Sequence, residues 1–524
     1  MSSMMLATTI SRATGFARNV LIVLLIGGTS AAVGGQAFGV ANELPTQVYG
    51  LIAGGLLGAV LVPDIVRASR AGDHGDINRL ITFSVCASLV LTVALTVAAP
   101  ALVRLFAFGW PEEWLTLATS MAYWCIPQVF FFVVYTVLGQ VLNAHRIYGP
   151  FAWAPVVSNV VAVAGLGVFA LAFPSTNTAP DAWTTPMVIV LCGAATLGVA
   201  VQSAILVLYL RRLPFRIRWQ FGMRGMGGSG RTAALAFGGV VAGQLAFLVV
   251  SNVANGAGAE LHAAGIDGAS LNSLNNAYLV ALLPHGVFAV ALTTALFTQM
   301  SHHVEEGRRD LVIEDTRSSL RQLAFVSGLF TAILVGCGAL VGAVLWNSTV
   351  IGDVLTLLAI GMTGFSQMYA LNRVSLALRS GASVLVAQVV VAIITAGAGV
   401  VALFVRADVA VPTIAVGISV ANLVGFLVSA SLLIRTLRRL GESVRIMELL
   451  RPLWPSAVGT VAAGGGALLV RTTLIDVPTG WWERAGLLVV SASVVAVVYL
   501  AVTRICGDRI MQSSAAALFQ RGRR

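Results

Sequence analysis

About fourteen apolar stretches fill this chain of 524 residues, beginning near Leu6 and continuing almost to the C-terminus. Each stretch is long enough to cross a hydrocarbon layer of about 30 Å as a helix. The chain is 58% hydrophobic and only 10% charged, whereas soluble domains are roughly a quarter charged. We therefore predict an all-α polytopic membrane protein with about 14 transmembrane helices.

The positive charges alternate from one connection to the next. All 32 cationic residues are arginines, and all but four lie in every second connection, in the first stretch or in the tail. The four exceptions are Arg104, Arg406, Arg471 and Arg484. Because arginine-rich connections stay in the cytoplasm, we predict a plasma-membrane protein with both termini cytoplasmic. Topology and contact with anionic membrane lipids then account for the net charge of +11, and no nucleic-acid partner is expected.

Several function classes are disfavoured by residues that the chain lacks or keeps apart. It contains no lysine, so it has no Walker A lysine and no P-loop ATPase of its own. Transport would draw on an ion gradient, the membrane potential or the substrate gradient. The five cysteines are isolated, so we expect no disulfide, no metal site and no cofactor. The loops carry no catalytic grouping, and we expect a protein that is not an enzyme. The N-terminal stretch predicts a retained first helix, not a signal peptide.

Arginine-rich connections at 211–231 and 435–452 divide the chain into six, six and two spans. The predicted segments follow from these connections: an N-lobe at 1–211, a cytoplasmic linker at 212–230, a C-lobe at 231–440, two further helices at 441–507 and a cytoplasmic tail at 508–524.

The two blocks of six spans show signs of an internal repeat. Leu44-Pro45 in the second span and Leu283-Pro284 in the eighth fall at the same place in each block. Both blocks start on the cytoplasmic side, so a parallel repeat is predicted. A further connection, 301–321, could hold a short amphipathic helix on the cytoplasmic surface.

Glu43 is the only carboxylate well inside an apolar stretch. Gln36, Glu43 and Gly50 are seven residues apart and share a helix face, with Asn42 next to Glu43 and Gly54 near the same face. We expect this stripe to line a cavity, because exposing a carboxylate to lipid costs several kcal/mol. The alternative is a structural glutamate, protonated or hydrogen-bonded between helices.

Arg12 and Arg18 lie in the first stretch, in the segment SRATGFARN. Six residues apart on a helix, they point about 120° away from each other, so both reach one cavity only if it is wide. If both face inward, they suit a phosphate or pyrophosphate, which arginine binds through paired hydrogen bonds. Otherwise they are anchors on the cytoplasmic side.

A second polar stripe lies in the eighth span, with Asn275, Asn276 and Tyr278 ahead of His285. We consider the asparagines candidate substrate contacts. His285 could titrate near neutral pH and couple transport to protons. The alternative is a histidine that only fills a hydrogen-bonded position beside Pro284.

Four segments resemble a known family: SRATGFARN, ANELPTQVYGL, LGQVLNAHRIYGPFAWAPVVSN and LNNAYLVALLPHGV. They look like the MurJ/MviN branch of the multidrug/oligosaccharidyl-lipid/polysaccharide exporter superfamily, over essentially the whole chain. The resemblance implies two six-helix lobes around a cationic cavity, and two last helices with a groove for a lipid tail. It also implies a flippase for lipid II, the undecaprenyl-pyrophosphate-linked peptidoglycan precursor, from the cytoplasmic to the periplasmic leaflet.

Position by position, Arg12 and Arg18 match first-helix arginines that the family assigns to the substrate headgroup. Other charged family positions differ in this chain: Gln36 stands for an aspartate, Glu43 for a lysine, Gly50 and Gly54 for an arginine and a glutamate, and Leu279 for an arginine. The resemblance therefore implies a cavity with fewer charges than is usual in the family.

The sequence favours a lipid II flippase that works by alternating access, with membrane lipids and cell-wall synthesis proteins as further partners. Alternatives are a flippase for another polyprenyl-linked oligosaccharide, a drug/cation antiporter of the same superfamily, or a non-transporting cell-wall scaffold. We also predict that Glu43 pairs with Arg12 or Arg18 until pyrophosphate arrives, since a buried arginine needs a partner in low dielectric.

Overall fold

The computed structural model describes residues 2–53, 57, 61–174, 180–222, 230–474 and 477–508. These residues form α-helices joined by short connections, and they divide into two compact units, Met1–Asn272 and Ser273–Arg524. The residues of the predicted tail after 508, part of the predicted linker and Gly54 lie outside the described set.

The first unit contains ten helices among its described residues. They are α1 (Ser2–Ile26), α2 (Val33–Ile52), α3 (Val62–Ala71), α4 (His74–Val97), α5 (Ala99–Phe106), α6 (Glu112–Cys125), α7 (Gln128–Ala144), α8 (Gly149–Ala172), α9 (Thr185–Tyr209) and α10 (Gly230–Ala263).

The described part of the second unit follows with the same kind of architecture. Its helices are α11 (Leu271–Pro284), α12 (Val290–Glu305), α13 (Arg309–Trp346), α14 (Thr349–Ala359), α15 (Met362–Ala377), α16 (Gly381–Ala402), α17 (Ala407–Arg439), α18 (Ile446–Leu450), α19 (Trp454–Thr460), α20 (Gly466–Leu474) and α21 (Trp481–Ile505).

The helices confirm the predicted membrane architecture. Twelve described helical segments are long and apolar enough to cross a membrane, and α14 with α15, bent by 46°, makes a thirteenth. The remaining predicted span begins with α2 and continues into residues outside the described set. About fourteen spans therefore fit the chain.

Each block of six contains a broken fourth span followed by a tightly packed pair. Pro127 interrupts the span of α6 and α7, and the bend at Gly361 interrupts α14 and α15. Small residues then allow close approach: a Cβ at Gly165 of α8 would lie 2.2 Å from Ala194 Cβ of α9, and one at Gly417 of α17 would lie 2.0 Å from Ala398 Cβ of α16. This internal correspondence supports the predicted repeat.

Two five-residue turns of π-helix widen spans of the second unit. One, His285–Ala289, follows Pro284 directly. The other, Val461–Gly465, lies between α19 and α20. Such turns are rare and occur most often at functional sites.

The stretch 301–321 does not form a separate surface helix, contrary to expectation. It consists of the end of α12 and the start of α13, joined by a turn at Gly307, whose φ of +72° favours glycine. His303 of α12 lies 2.8 Å from Asp315 of α13, which ties the two helix ends together. The helical pattern was therefore right, but both helices continue from membrane spans.

Helix α10, predicted to open the C-lobe, packs in the first unit against α2 and α5. Gln36 of α2 meets Gly258 so closely that a Cβ there would lie 2.7 Å from Gln36 Oε1. Asn255 Nδ2 donates to the Phe106 carbonyl at the end of α5 at 2.9 Å. These contacts place α10 in the first compact unit, which ends at Asn272, and the lobe boundary at the 212–230 linker stays a prediction.

Candidate functional site

A cavity of about 160 Å³ lies inside the first unit, between α1, α2, α7, α8 and α9. Its polar lining consists of one arginine, hydroxyl groups and amides: Arg18, Asn42, Thr46, Gln128, Ser158, Asn159 and Gln202. The rest of the lining is apolar, with Phe38, Phe132 and Leu191 among its larger side chains. No carboxylate lines this cavity in the described part of the chain.

Among the described residues, Arg18 is the only charged one in that lining. Its Nε is buried and has no hydrogen-bond partner among the described residues. Guanidinium is a fork of donors that matches phosphate and carboxylate oxygens, and burying a charge without a partner is costly. The cavity therefore has the electrostatic character of an anion site.

Asn159 of α8 positions the helix turn that carries Arg18. Its Nδ2 donates to the Ser11 carbonyl at 3.0 Å and to Thr14 Oγ1 at 3.3 Å. The absence of a side chain at Gly15 makes room, since a Cβ there would lie 3.2 Å from the same Nδ2. Arg18, one turn further along α1, is thereby held at the cavity.

A chain of hydrogen bonds orients the amides on the opposite side. Gln128 Nε2 donates to Asn42 Oδ1 and to Thr196 Oγ1, both at 3.2 Å. The Thr196 hydroxyl donates to the Trp124 carbonyl at 2.6 Å. Asn42 thus accepts through its oxygen, which leaves its NH₂ group available as a second donor near Arg18.

The structure brings only two of the predicted site residues, Arg18 and Asn42, to this cavity. Arg12 is exposed on α1 and is absent from the lining, as expected for two arginines six residues apart. Gln36 is buried at the other end of α2, where its Nε2 donates to the Ser30 carbonyl at 3.0 Å.

The stripe of Gln36, Glu43 and Gly50 does not line the cavity; its two ends face α10. Gln36 abuts Gly258, as described above, and a Cβ at Gly50 would lie 3.0 Å from Gln244 Nε2 of α10. Helical spacing identified the shared face correctly, but it could not reveal that another helix covers that face.

Glu43 does not pair with an arginine in this conformation. Its Oε1 accepts a 2.5 Å hydrogen bond from Gln47 Nε2, one turn along α2. No ion pair joins Glu43 to Arg12 or Arg18 among the described residues. The pairing predicted from the sequence is therefore not formed here, and the hydrogen bond found for the carboxylate comes from an amide on the same helix.

The remaining predicted residues lie in the second unit. Asn276 is buried and Asn275 half-buried on α11. His285, in the π turn, has its Nδ1 3.0 Å from Ser366 Oγ of α15. The rings of Phe365 and Tyr369 meet the imidazole edge-on, with centroids 4.7 and 5.1 Å away. This enclosure suits a packed, hydrogen-bonded histidine, and proton coupling stays a prediction.

Sequence reasoning missed Gln128 and Gln202 as cavity residues. Each is a buried amide in an otherwise apolar helix. A single glutamine among apolar residues is a usable signal, since a buried amide needs partners. Metal-ligand clusters offer no alternative site: the described residues contain no group of three or more His, Cys, Asp or Glu side chains that could hold an ion.

Beyond the cavity, the α1–α2 loop is bonded to the α10–α11 loop. Ser30 is fully buried and joins the two loops through three hydrogen bonds. Its N–H donates to the Gly268 carbonyl at 2.9 Å, and its hydroxyl donates to the Ile266 carbonyl at 2.9 Å. The hydroxyl oxygen also accepts from the Gly268 N–H at 2.7 Å. These bonds close the loop end of the first unit.

Comparison with known proteins agrees with this architecture. A family model described as "Lipid II flippase MurJ" matches residues 26–476. A probable lipid II flippase MurJ of Haemophilus influenzae is 28% identical over 171 residues, which cover 30% of this chain and 33% of the Haemophilus protein. The chain thus matches about a third of the length of that relative.

Solved structures share the fold. A lipid II flippase MurJ in an inward closed conformation has a TM-score of 0.73 at 15% identity, covering 98% of this chain and 100% of that chain. An inward-facing multidrug resistance MATE family transporter of the MOP superfamily has a TM-score of 0.64 at 16% identity, covering 82% and 96% respectively.

Proposed function

Because the chain belongs to the lipid II flippase MurJ family, we propose that it moves lipid II from the cytoplasmic to the outer leaflet of the plasma membrane. The observation that carries this proposal is Arg18, held in a cavity that offers amide donors and no carboxylate. Such a site favours the pyrophosphate of the lipid carrier, to which a guanidinium donates paired, charge-assisted hydrogen bonds.

In an alternating-access cycle, the Arg18 cavity would bind the substrate and the Ser30 loop contact would control its release. The Arg18 cavity would bind the pyrophosphate of the lipid carrier, while the undecaprenyl tail stays in lipid. The loop contact at Ser30 would then open and release the headgroup outside. We propose cytoplasmic termini for this cycle, on the strength of the arginine distribution. Cell-wall synthesis proteins, which would use the delivered precursor, are proposed as partners.

The residues that line the cavity also help to choose among the alternative functions. A drug/cation antiporter needs carboxylates for its cations, and the described lining supplies none. Another polyprenyl-linked oligosaccharide would carry the same pyrophosphate, so the site favours the class of lipid carrier more strongly than one particular sugar. A non-transporting scaffold does not require an arginine whose Nε is buried in a cavity without a partner among the described residues.

Rescue of a bacterial strain depleted of its own lipid II flippase tests the proposal. We expect the chain to restore growth and the exposure of lipid II on the outer leaflet. Growth without outer-leaflet lipid II would favour the scaffold. Failure of both, with the protein present in the membrane at normal levels, would contradict lipid II as the substrate.

A further inference from the structure

The chain leaves α9 through a 3₁₀ turn, Leu210–Arg212, and residues 213–222 then lie along the first unit. Leu213, Phe215 and Ile217 alternate inward and pack on the core formed by α3, α4 and α7. The Phe215 ring stacks on His74 at the start of α4, with centroids 4.3 Å apart. The segment is therefore a docked part of the structure.

Backbone hydrogen bonds fix its path along α4. Arg218 N–H donates to Asn78 Oδ1 at 3.3 Å, and Gln220 N–H donates to Thr82 Oγ1 at 3.1 Å. Asn78 and Thr82 are one helical turn apart, a rise of about 6 Å. The segment consequently runs from the N-terminal start of α4 toward the middle of this span.

The outward side chains of this segment are arginines and aromatic rings. Arg211, Arg212, Arg216 and Arg218 are exposed. Trp219 and Phe221 follow, with 68% and 78% of their surfaces exposed. Because the segment runs along α4 toward the middle of the span, the rings of Trp219 and Phe221 lie deeper in the membrane region than Arg211 and Arg212.

Nearby carboxylates do not neutralise this surface. Residues 211–222 contain no Asp or Glu. Asp76 at the start of α4 is paired with Arg79 at 2.6 Å, and Asp73 accepts the Asp76 N–H as a helix cap at 2.9 Å. Arg212 lies over the Tyr209 ring, 4.6 Å from its centroid. Among the described residues no ion pair joins the four arginines to a carboxylate, so their charges can attract anions from outside the protein.

We propose that residues 211–222 form a binding site for anionic phospholipid headgroups of the cytoplasmic leaflet. The four arginines supply charge complementary to lipid phosphates. Trp219 and Phe221 sit beside a membrane span, where aromatic rings occupy the interface between headgroups and acyl chains. A soluble acidic partner would meet the arginines but would leave the two rings without an apolar environment. The proposal rests on the proposed orientation and not on lipid II transport.

Lipid binding to the full-length protein tests this site without any transport assay. The purified chain is titrated in mixed micelles with phosphatidylglycerol or, separately, phosphatidylcholine, and native mass spectrometry counts the bound lipids. The test variant is Arg216→Gln with Arg218→Gln. The matched control is Arg435→Gln with Arg439→Gln, which removes two exposed arginines from the end of α17.

We expect the Arg216→Gln/Arg218→Gln variant to bind phosphatidylglycerol about thirtyfold more weakly, since each arginine near an anionic surface contributes roughly 1 kcal/mol and about 1.4 kcal/mol corresponds to a factor of ten. The control should lose less than twofold, and phosphatidylcholine binding should not change in either. Trp219→Ser should weaken both lipids by a similar factor. Unchanged phosphatidylglycerol binding in the Arg216→Gln/Arg218→Gln variant, or an equal loss in the control, would overturn a specific site. If the double variant does not fold, Arg216→Gln alone should still bind phosphatidylglycerol about fivefold more weakly.

Discussion

The four arginines that depart from the charge asymmetry all have local partners. Three of them pair with carboxylates: Arg104 with Glu112 at 2.7 Å, Arg406 with Asp408 at 2.9 Å and Arg471 with Asp353 at 3.3 Å. The fourth, Arg484, donates to the Pro478 carbonyl at 2.6 Å and to the Ala343 carbonyl at 3.2 Å. These partners satisfy the four guanidinium groups locally, and the predicted orientation continues to rest on the distribution of the other 28 arginines.

Removing the Arg18 side chain should abolish rescue of a flippase-depleted strain, whereas Arg12→Ala should cost little. Arg18 lines the cavity and Arg12 is exposed, so the second variant is the matched control. Each lost charge-assisted bond to phosphate weakens binding by roughly 1.5–3 kcal/mol. Arg18→Lys should rescue in part, because lysine keeps the charge without the fork. Growth rates at equal membrane levels measure this, and full growth of Arg18→Ala would remove the arginine from the site.

Glu43→Gln should transport nearly as well as the wild type. The new amide oxygen can accept the same bond from Gln47, and no arginine loses a partner in this conformation. Glu43→Leu should instead lower stability by roughly 1–3 kcal/mol, since it leaves the buried side of Gln47 unsatisfied. Rescue and thermal unfolding measure the two effects separately. A transport loss in Glu43→Gln with unchanged stability would mean that the carboxylate charge acts in another conformation.

At the scale of helices, the packing of α8 on α9 depends on Gly165. Gly165→Ala would place a methyl group 2.2 Å from Ala194 Cβ, so the helices must move apart at a cost of roughly 1–3 kcal/mol. Gly167→Ala, two residues along the same helix, meets nothing within 4 Å and should be neutral or slightly stabilising. Thermal unfolding midpoints in detergent compare the pair. Equal midpoints would show that this contact is looser than the structure indicates.

Sequence patterns predicted the positions of the helices well, but they predicted poorly which helices pack against each other. Apolar length alone located the spans, because lipid requires a minimum helix length. The face shared by Gln36, Glu43 and Gly50 was also correct, since it follows from 3.6 residues per turn. Which helix covers that face depends on contacts far apart in sequence, such as Gln36 with Gly258. The cavity around Arg18 was only half predictable for the same reason, because Gln128 and Gln202 come from other helices.

At the scale of the whole molecule, the orientation can be tested with single cysteines in a cysteine-free background. Asp267 and Glu305 are both exposed in or beside connections on opposite sides of the predicted membrane. Asp267→Cys should react with an impermeant thiol reagent in intact cells, and Glu305→Cys only after permeabilisation. Glu305 is preferable to Gly307, whose φ of +72° would strain a cysteine. Thr176 and Gly225, which lie in connections on the predicted outer and cytoplasmic sides, fall outside the described residues. Labelling of Glu305→Cys in intact cells would reverse the orientation.

The π turn at His285–Ala289 gives the eighth span one residue more than regular α-helical geometry needs. Closing it to α geometry would advance the register of α12 by one residue, which turns the helix by about 100° and shifts it by about 1.5 Å. Such a step exchanges the side chains that face a neighbour while reforming the hydrogen bonds of a single turn. A span built in this way has rotation available as well as tilt, and the hydrogen bonding of the rest of the helix is preserved as it turns.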